Sequence, residues 1–152
     1  PGRDFYAASE IYDLMYSVTS GSWVFAPYLQ YQHYDAVKAS GVTLAPGAKD
    51  WGIGVLANYT ISDHWSLGAR AEYEDSSGDG SAFIYGPKSS AFSFTVTPTW
   101  KKGIFFIRGE GSYTTVSDYF KVGGPGGFGL GFGRAGTKSG QFRALLETGI
   151  VF

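Results

Sequence analysis

Seven segments of this chain alternate apolar and polar side chains, and this period of two is the feature that most limits the possible fold. The fourth segment is the clearest, with Trp65, Leu67, Ala69, Ala71 and Tyr73 on one side and Ser66, Gly68, Arg70, Glu72 and Glu74 on the other. Successive side chains of a strand point to opposite faces, and helical spacing does not fit this pattern. We predict strands near 10–19, 22–34, 51–61, 65–75, 91–101, 104–113 and 142–152. The chain is therefore expected to be all-β.

The connections between these segments alternate between short and long. The minimal turns are Ser20-Gly21, 62–64 and Lys102-Gly103, and the long connections are 35–50, 76–90 and 114–141. The long ones far exceed ordinary hairpin loops of about 2–5 residues. Short turns at one end and long loops at the other are typical of up-and-down barrels that cross the bacterial outer membrane. We therefore expect residues 1–152 to form one antiparallel transmembrane β-barrel domain, with about seven or eight strands in this chain.

The short turns also predict which residues lie opposite one another. They give the pairs Val18–Trp23, Tyr59–Leu67 and Trp100–Phe105. In each pair an apolar side chain meets another, so one apolar face continues across the strands. Pro27 cannot donate a ladder hydrogen bond, so we expect a bulge or distortion there. Ile104 and Phe106 are the exceptions to the pattern, because this register points both toward the polar face.

Aromatic residues of the apolar face are predicted to fall into two belts. Trp23, Trp65, Trp100, Phe105 and Phe152 lie near the short turns, and Trp51, Tyr73, Phe92, Tyr113 and Phe142 lie near the long loops. Such belts mark the two interfaces of a bilayer, with aliphatic residues between them. We expect the lipid bilayer to surround this face.

The polar face carries eight charged residues, which are Arg70, Glu72, Glu74, Lys101, Arg108, Glu110, Arg143 and Glu147. Charged side chains on this face are expected to line a water-filled pore and set its electric field. Alternatively, Arg–Glu ladders would satisfy one another and fill a narrow lumen. Because four cations face four acids, we expect only weak ion selectivity.

Composition excludes several classes of function. The net charge of −1 argues against nucleic acid as a partner, and the absence of cysteine excludes disulfides and thiolate metal sites. The sequence contains no run of about 18 apolar residues, so it predicts no transmembrane helix. This is compatible with barrel strands, because their alternation averages to near-neutral hydropathy. We expect no cofactor.

Several short motifs partly resemble sites for catalysis, metal binding or dinucleotide binding. Glu72 and Glu74 would lie about 7 Å apart along a strand, which is compatible with paired glycosidase carboxylates. No other catalytic group accompanies them, so the two lumen charges remain the preferred interpretation. Asp75–Gly80 resembles only half of a calcium loop, and 131–136 matches G-x-G-x-x-G without a following helix. His33 and His64 fall near opposite ends of their strands. We therefore predict neither an enzyme nor a metal site.

The number of predicted strands indicates whether this chain forms a whole barrel. Phe152 is an aromatic C-terminal residue, which is typical of outer-membrane barrels, and it would end a strand on the periplasmic side. Because consecutive strands alternate in direction, the first of the seven strands would begin outside the cell. Complete bacterial barrels instead have an even number of strands. We expect missing N-terminal strands of a larger barrel, with a self-sufficient barrel of eight strands as the alternative. A homo-oligomer is also compatible with these observations.

Several segments of the chain resemble OmpL-like β-barrel porins. They are residues 65–73, Asp75 with the Gly-rich bend after it, residues 94–98, Ile107-Arg108-Gly109-Glu110 and the closing Phe152. The resemblance spans roughly residues 10–152, and members of this family are longer chains. It implies an outer-membrane pore that passes small hydrophilic solutes, without assigning one of them. The Gly-rich stretch 123–140 departs from the family, so the role of the last long loop stays open.

Three functions are compatible with these patterns. The first is a porin of the bacterial outer membrane that allows passive diffusion of small solutes through its polar lumen. The second is a structural barrel that anchors or sheathes a partner, with its long loops as the binding surface. The third is a soluble ligand-binding β-barrel, which would turn its apolar face inward and expose the Arg/Glu face.

Overall fold

The structure, a computed structural model, describes residues 9–78, 85–121 and 129–151. Its strands are β1 (Ser9–Met15), β2 (Val18–Ser20), β3 (Trp23–Tyr34), β4 (Val37–Ala39), β5 (Val42–Ala45), β6 (Ala48–Thr60), β7 (Trp65–Gly78), β8 (Ser90–Lys102), β9 (Phe105–Ser117) and β10 (Gly140–Ile150). All seven predicted strands are present. The all-β, antiparallel fold predicted from alternation is thereby confirmed.

One antiparallel sheet contains all the long strands in the order β1-β3-β6-β7-β8-β9-β10, and β2 also pairs with β3. Neighbours along the chain are neighbours in the sheet, which is the up-and-down arrangement. Within the described residues the sheet is open, because β10 lies at one edge while β1 and β2 lie at the other. The strands β4 and β5 form a separate two-stranded sheet inside the long connection 35–50, and the sequence pattern did not predict this hairpin.

The turn between β6 and β7 has the predicted register, with Tyr59 opposite Leu67. The other two predicted registers were wrong by two residues. Val18 lies opposite Phe25, and Trp100 lies opposite Ile107. Each shift moves the turn by one position and preserves which side chains share a face, so the continuous apolar face remains.

Pro27 interrupts the neighbouring strand without shifting its register. The pairing of β1 and β2 with β3 continues in one register on both sides of the gap at Tyr16 and Ser17. The Tyr16 amide still donates to the Pro27 carbonyl at 3.1 Å. The expected distortion is therefore a local break in the ladder rather than a bulge.

The two faces of the sheet differ in what covers them. We call the face that carries Leu67 and Ile107 the outer face, and the face that carries Arg70 and Arg108 the inner face. Leu67 is 38% exposed and Ile107 is 48% exposed, so no part of the described chain covers the apolar outer face. Three of the four buried apolar residues in the described part of the chain, Ala91, Val116 and Tyr119, instead lie together beside the long loops.

Candidate functional site

All eight charged residues predicted to line a pore fall on the inner face. Arg70, Thr95, Ser112 and Arg143 lie in one register row across β7, β8, β9 and β10. Glu72 and Glu74 follow at alternate positions of β7, toward the long loops, while Lys101 and Arg108 lie toward the short turns. The alternation therefore gathers the charges on one surface that crosses four strands.

Four of these eight residues border a single cleft. The cleft has a volume of about 270 Å³ and is lined by Arg70, Glu72, Glu74 and Arg143, by polar groups of β8, β9 and β10, and by Tyr85 and Phe132 from the long loops. Its floor consists of inner-face residues between Arg70 and Arg143, which the strand register fixes in place. Lys101, Arg108, Glu110 and Glu147 do not line this cleft.

Most charged side chains of the inner face contact an opposite charge. Arg108 and Glu147 lie directly opposite each other on β9 and β10, and the Arg108 Nε donates to Glu147 Oε2 at 3.1 Å. The Arg143 guanidinium donates to Glu110 Oε1 at 3.1 Å, and Arg70 approaches Glu72 at 3.9 Å. These pairs join neighbouring positions and leave the cleft beside them open, so the inner face is charged and locally balanced.

Glu72 has a second partner from a more distant strand. Tyr28 on β3 donates its hydroxyl hydrogen bond to the Glu72 carboxylate on β7, across the intervening strand β6. Gly54 is opposite both residues, and a Cβ at this position would lie 2.5 Å from the Tyr28 ring. The absence of a side chain at Gly54 thus gives the ring room to cross the strand, and the hydrogen bond fixes this carboxylate at the cleft.

The long loops contribute aromatic residues to the inner face. The rings of Tyr85 and Phe132 meet at 5.5 Å in an edge-on arrangement and pack against the buried cluster of Ala91, Val116 and Tyr119. The described part of the last loop folds back on itself, with Phe132 and Lys138 bridging its two arms. Burial, followed by the neighbouring Glu74 carboxylate, raises the pKa of Tyr85, so this phenol stays neutral at physiological pH.

Glycine allows this loop to pack closely. A Cβ at Gly131 would overlap the ring of Tyr119, and the Tyr119 hydroxyl donates to the Thr137 carbonyl. Gly136 has a φ of +65° and its amide closes the turn onto the Gly133 carbonyl. Part of the Gly-rich stretch therefore turns toward the mouth of the cleft; the residues from 122 to 128 lie outside the described part.

The aromatic residues predicted for the membrane interfaces lie on the outer face. Trp65 is opposite Trp100 at the short-turn end, and Tyr73 is opposite Phe92 at the long-loop end. The exposed members of the set are Trp23, Trp51, Trp65, Tyr73, Phe92, Phe105, Tyr113 and Phe142, whereas Trp100 is half-buried. Phe152 lies outside the described residues. The position of these rings matches the predicted belts, and their contact with lipid stays a prediction.

Several cleft residues had no role in the sequence prediction. Ser112, Thr114 and Gln141 occupy inner-face positions, so the same alternation that identified Arg70 contains the signal for them. Tyr85 and Phe132 lie in long loops without periodicity, and only tertiary packing brings them to the cleft.

Other kinds of site receive no support from the described residues. Within 9–78, 85–121 and 129–151 no group of three or more His, Cys, Asp or Glu side chains is arranged to hold a metal ion. None of the described segments forms a helix long and apolar enough to cross a membrane.

Comparison with known proteins gives one match that covers nearly the whole chain. The family model described as "Putative beta-barrel porin-2, OmpL-like" matches residues 2–152. No curated protein and no solved structure matches the chain.

Proposed function

Because this chain belongs to the OmpL-like β-barrel porin family, we propose that it is a porin of the bacterial outer membrane through which small hydrophilic solutes diffuse passively. The observation that carries the proposal is the division of the sheet into two chemically opposite faces. One face presents exposed apolar and aromatic side chains, and the other presents eight charged side chains with a cleft among them. Outer-membrane barrels have this division, with lipid outside and water inside.

The mechanism is filtration by size combined with a weak electric field. The inward charged residues would keep the lumen hydrated, and the near balance of Arg and Glu would let both ions and neutral solutes pass. The loop residues Tyr85 and Phe132 narrow the inner face near the long-loop end. Solutes would meet this narrower section first, when they enter from outside the cell.

A structural barrel that only anchors a partner is the second candidate. Such a barrel gains stability from a lumen filled by its own side chains, and the Tyr28–Glu72 hydrogen bond and the Arg–Glu pairs are contacts of that kind. The open cleft between β7 and β10 favours the porin instead, because this space is not filled by any described side chain.

Planar-bilayer recording tests the proposal. The purified protein, inserted into a lipid bilayer in potassium chloride, is expected to give discrete steps of ionic current that scale with salt concentration. A heat-denatured sample from the same purification is the control for contaminating channels. Membrane insertion without any conductance would contradict the porin and support the structural barrel.

A further inference from the structure

The cleft contains hydrogen-bonding groups that are not used within the described part of the chain. The hydroxyls of Thr95, Ser112 and Thr114 and the amide of Gln141 border it. None of these side chains has a hydrogen bond to another described residue. They come from three adjacent strands, so their direction is set by the sheet rather than by mobile loops. The cleft therefore offers several fixed neutral donors and acceptors.

Three of the four charged residues at the cleft are, in contrast, compensated by this chain itself, whereas Glu74 has no hydrogen bond or ion pair with another described residue. Arg143 is paired with Glu110, while Glu72 accepts from Tyr28 and Ser93 and approaches Arg70. A solute that pairs with Arg70, Glu72 or Arg143 would have to displace one of these partners, which costs free energy, and an anion would also be repelled by the Glu74 carboxylate. A neutral solute avoids that cost and can add hydrogen bonds to charged groups, which are stronger than those between neutral groups.

An aromatic wall completes the arrangement. Tyr85 and Phe132 border the same cleft and are only partly buried, so ring surface remains open to a solute. Flat patches of C–H groups pack well against aromatic rings, and a sugar ring presents such patches between its hydroxyl groups. The cleft volume of about 270 Å³ lies near the lower end of small-molecule sites, which begin at about 300 Å³. It suits a solute with one sugar ring.

We propose that this cleft is a binding site for neutral polyhydroxylated solutes, of the monosaccharide class, on the permeation path. Hydroxyl and amide groups of Thr95, Ser112, Thr114 and Gln141 bind the solute's hydroxyls, and Tyr85 with Phe132 covers one face of its ring. The proposal rests on the proposed porin function and names the solute class of the same lumen.

Equilibrium dialysis with radiolabelled glucose, on the folded full chain in detergent micelles, tests the site directly. We expect saturable binding that unlabelled galactose displaces and that lysine and glutamate at the same concentration do not displace. Binding that is not saturable would overturn the proposal, and so would displacement by either amino acid at concentrations where galactose has no effect.

Matched variants locate the binding on the inner face. Thr114→Val removes one hydroxyl with little change of shape, and loss of one hydrogen bond is expected to weaken glucose binding about two- to tenfold. Thr115→Val is the control, because Thr115 is the next residue of β9 and lies on the outer face. Equal affinities of the two variants would contradict the assignment.

The aromatic wall has a similar pair of variants. Phe132→Leu keeps an apolar side chain but removes the ring, and it is expected to weaken glucose binding by at least about threefold. Phe142→Leu, on the outer face of β10, should leave binding unchanged. Unchanged glucose affinity in Phe132→Leu would remove the wall from the proposal.

Bilayer currents separate the two proposals. Conductance in potassium chloride without saturable glucose binding would leave the porin standing and overturn the sugar site. Saturable glucose binding without conductance would contradict the porin and leave a sugar site that is not on a permeation path.

Discussion

Tyr28 donates a hydrogen bond to Glu72 from two strands away, over the bare backbone of Gly54. The contact ties β3 to β7 across the inner face and reaches one wall of the cleft. The Glu72 carboxylate also accepts a hydrogen bond from Ser93. Two donors on different strands restrict the rotation of this side chain. A carboxylate held in this way contributes a fixed charge to the cleft.

Replacing Gly54 by alanine should break this contact. The new Cβ would lie 2.5 Å from ring atoms of Tyr28, so the ring must move away from Glu72. We expect a loss of about 1–3 kcal/mol in the free energy of unfolding, as for other overpacked sites. Urea unfolding of the protein folded in lipid vesicles, followed by tryptophan fluorescence, measures it.

Gly52→Ala is the matched control for this prediction, because Gly52 lies on the same face of the same strand. Its Cβ would be 3.6 Å from the nearest Glu74 atom, which is ordinary contact. Equal losses in the two variants would show that a side chain at either glycine of this face is harmful, and the Tyr28 ring would then not be the cause.

A single lysine on either face tests which side of the sheet contacts lipid. Val96 lies at the middle of β8 on the outer face, and Thr97 follows it on the inner face. Val96→Lys should cost about 2–4 kcal/mol in the free energy of unfolding from vesicles, because it places a charge in the hydrocarbon region. Thr97→Lys should cost much less. A larger loss for Thr97→Lys would reverse the orientation and favour a soluble barrel.

The faces of the sheet could be predicted from the sequence, whereas two of its registers could not. Alternation alone assigns Leu67 to one face and Arg70 to the other. The register depends on which residue begins each two-residue turn, and the prediction placed glycine second. Gly21 and Gly103 have φ values of +57° and +59° and occupy the first central position. A type II′ turn has glycine there, which explains the shift.

The same shift corrects the prediction for Ile104, which lies in the turn and is not a strand residue pointing inward. Phe106 does face inward, as predicted, and the register explains how. It lies opposite Gly149, where a Cβ would come within 2.7 Å of its ring. The sequence contains both the glycine and the aromatic residue, but their pairing can be recognised only once the register is known.

The loop part of the cleft was beyond prediction from a single sequence. Tyr85, Tyr119 and Phe132 are far apart along the chain and belong to connections without a repeat. Their packing depends on close backbone approaches at Gly131 and Gly136, which no local pattern specifies. From the sequence the role of the Gly-rich loop stayed open, and its described residues turn toward the mouth of the cleft.

Neutralising one inner-face carboxylate should make the channel more permeable to anions. A unit charge about 7 Å from an ion in water contributes roughly 0.6 kcal/mol, which corresponds to a factor of about three in relative permeability. Glu74→Gln should therefore move the reversal potential toward that of chloride in a potassium chloride gradient. Asp75→Asn, on the outer face of the same strand, is the control. A shift of equal size in both variants would remove Glu74 from the permeation path.

Exchanging the two charges of the Arg108–Glu147 pair should preserve stability, whereas placing a cation at both positions should lower it. Glu147→Arg places two cations directly opposite each other, which should lower the free energy of unfolding by about 0.2–1 kcal/mol. The double variant Arg108→Glu with Glu147→Arg should recover most of that loss. A double-mutant cycle from urea unfolding at low salt measures the coupling, and additive effects would show that the two charges do not interact.

The packing of the last loop against Tyr119 predicts a wider channel when that packing is lost. Gly131→Ala introduces a Cβ that overlaps the Tyr119 ring, so the arm carrying Phe132 must move off the inner face. We expect a larger single-channel conductance and faster tryptic cleavage at Arg134 and Lys138, which lie in the displaced segment. Ala135→Ser changes an exposed position of the same loop and should alter neither. Faster cleavage with unchanged conductance would mean that the loop packs as described but does not limit the pore.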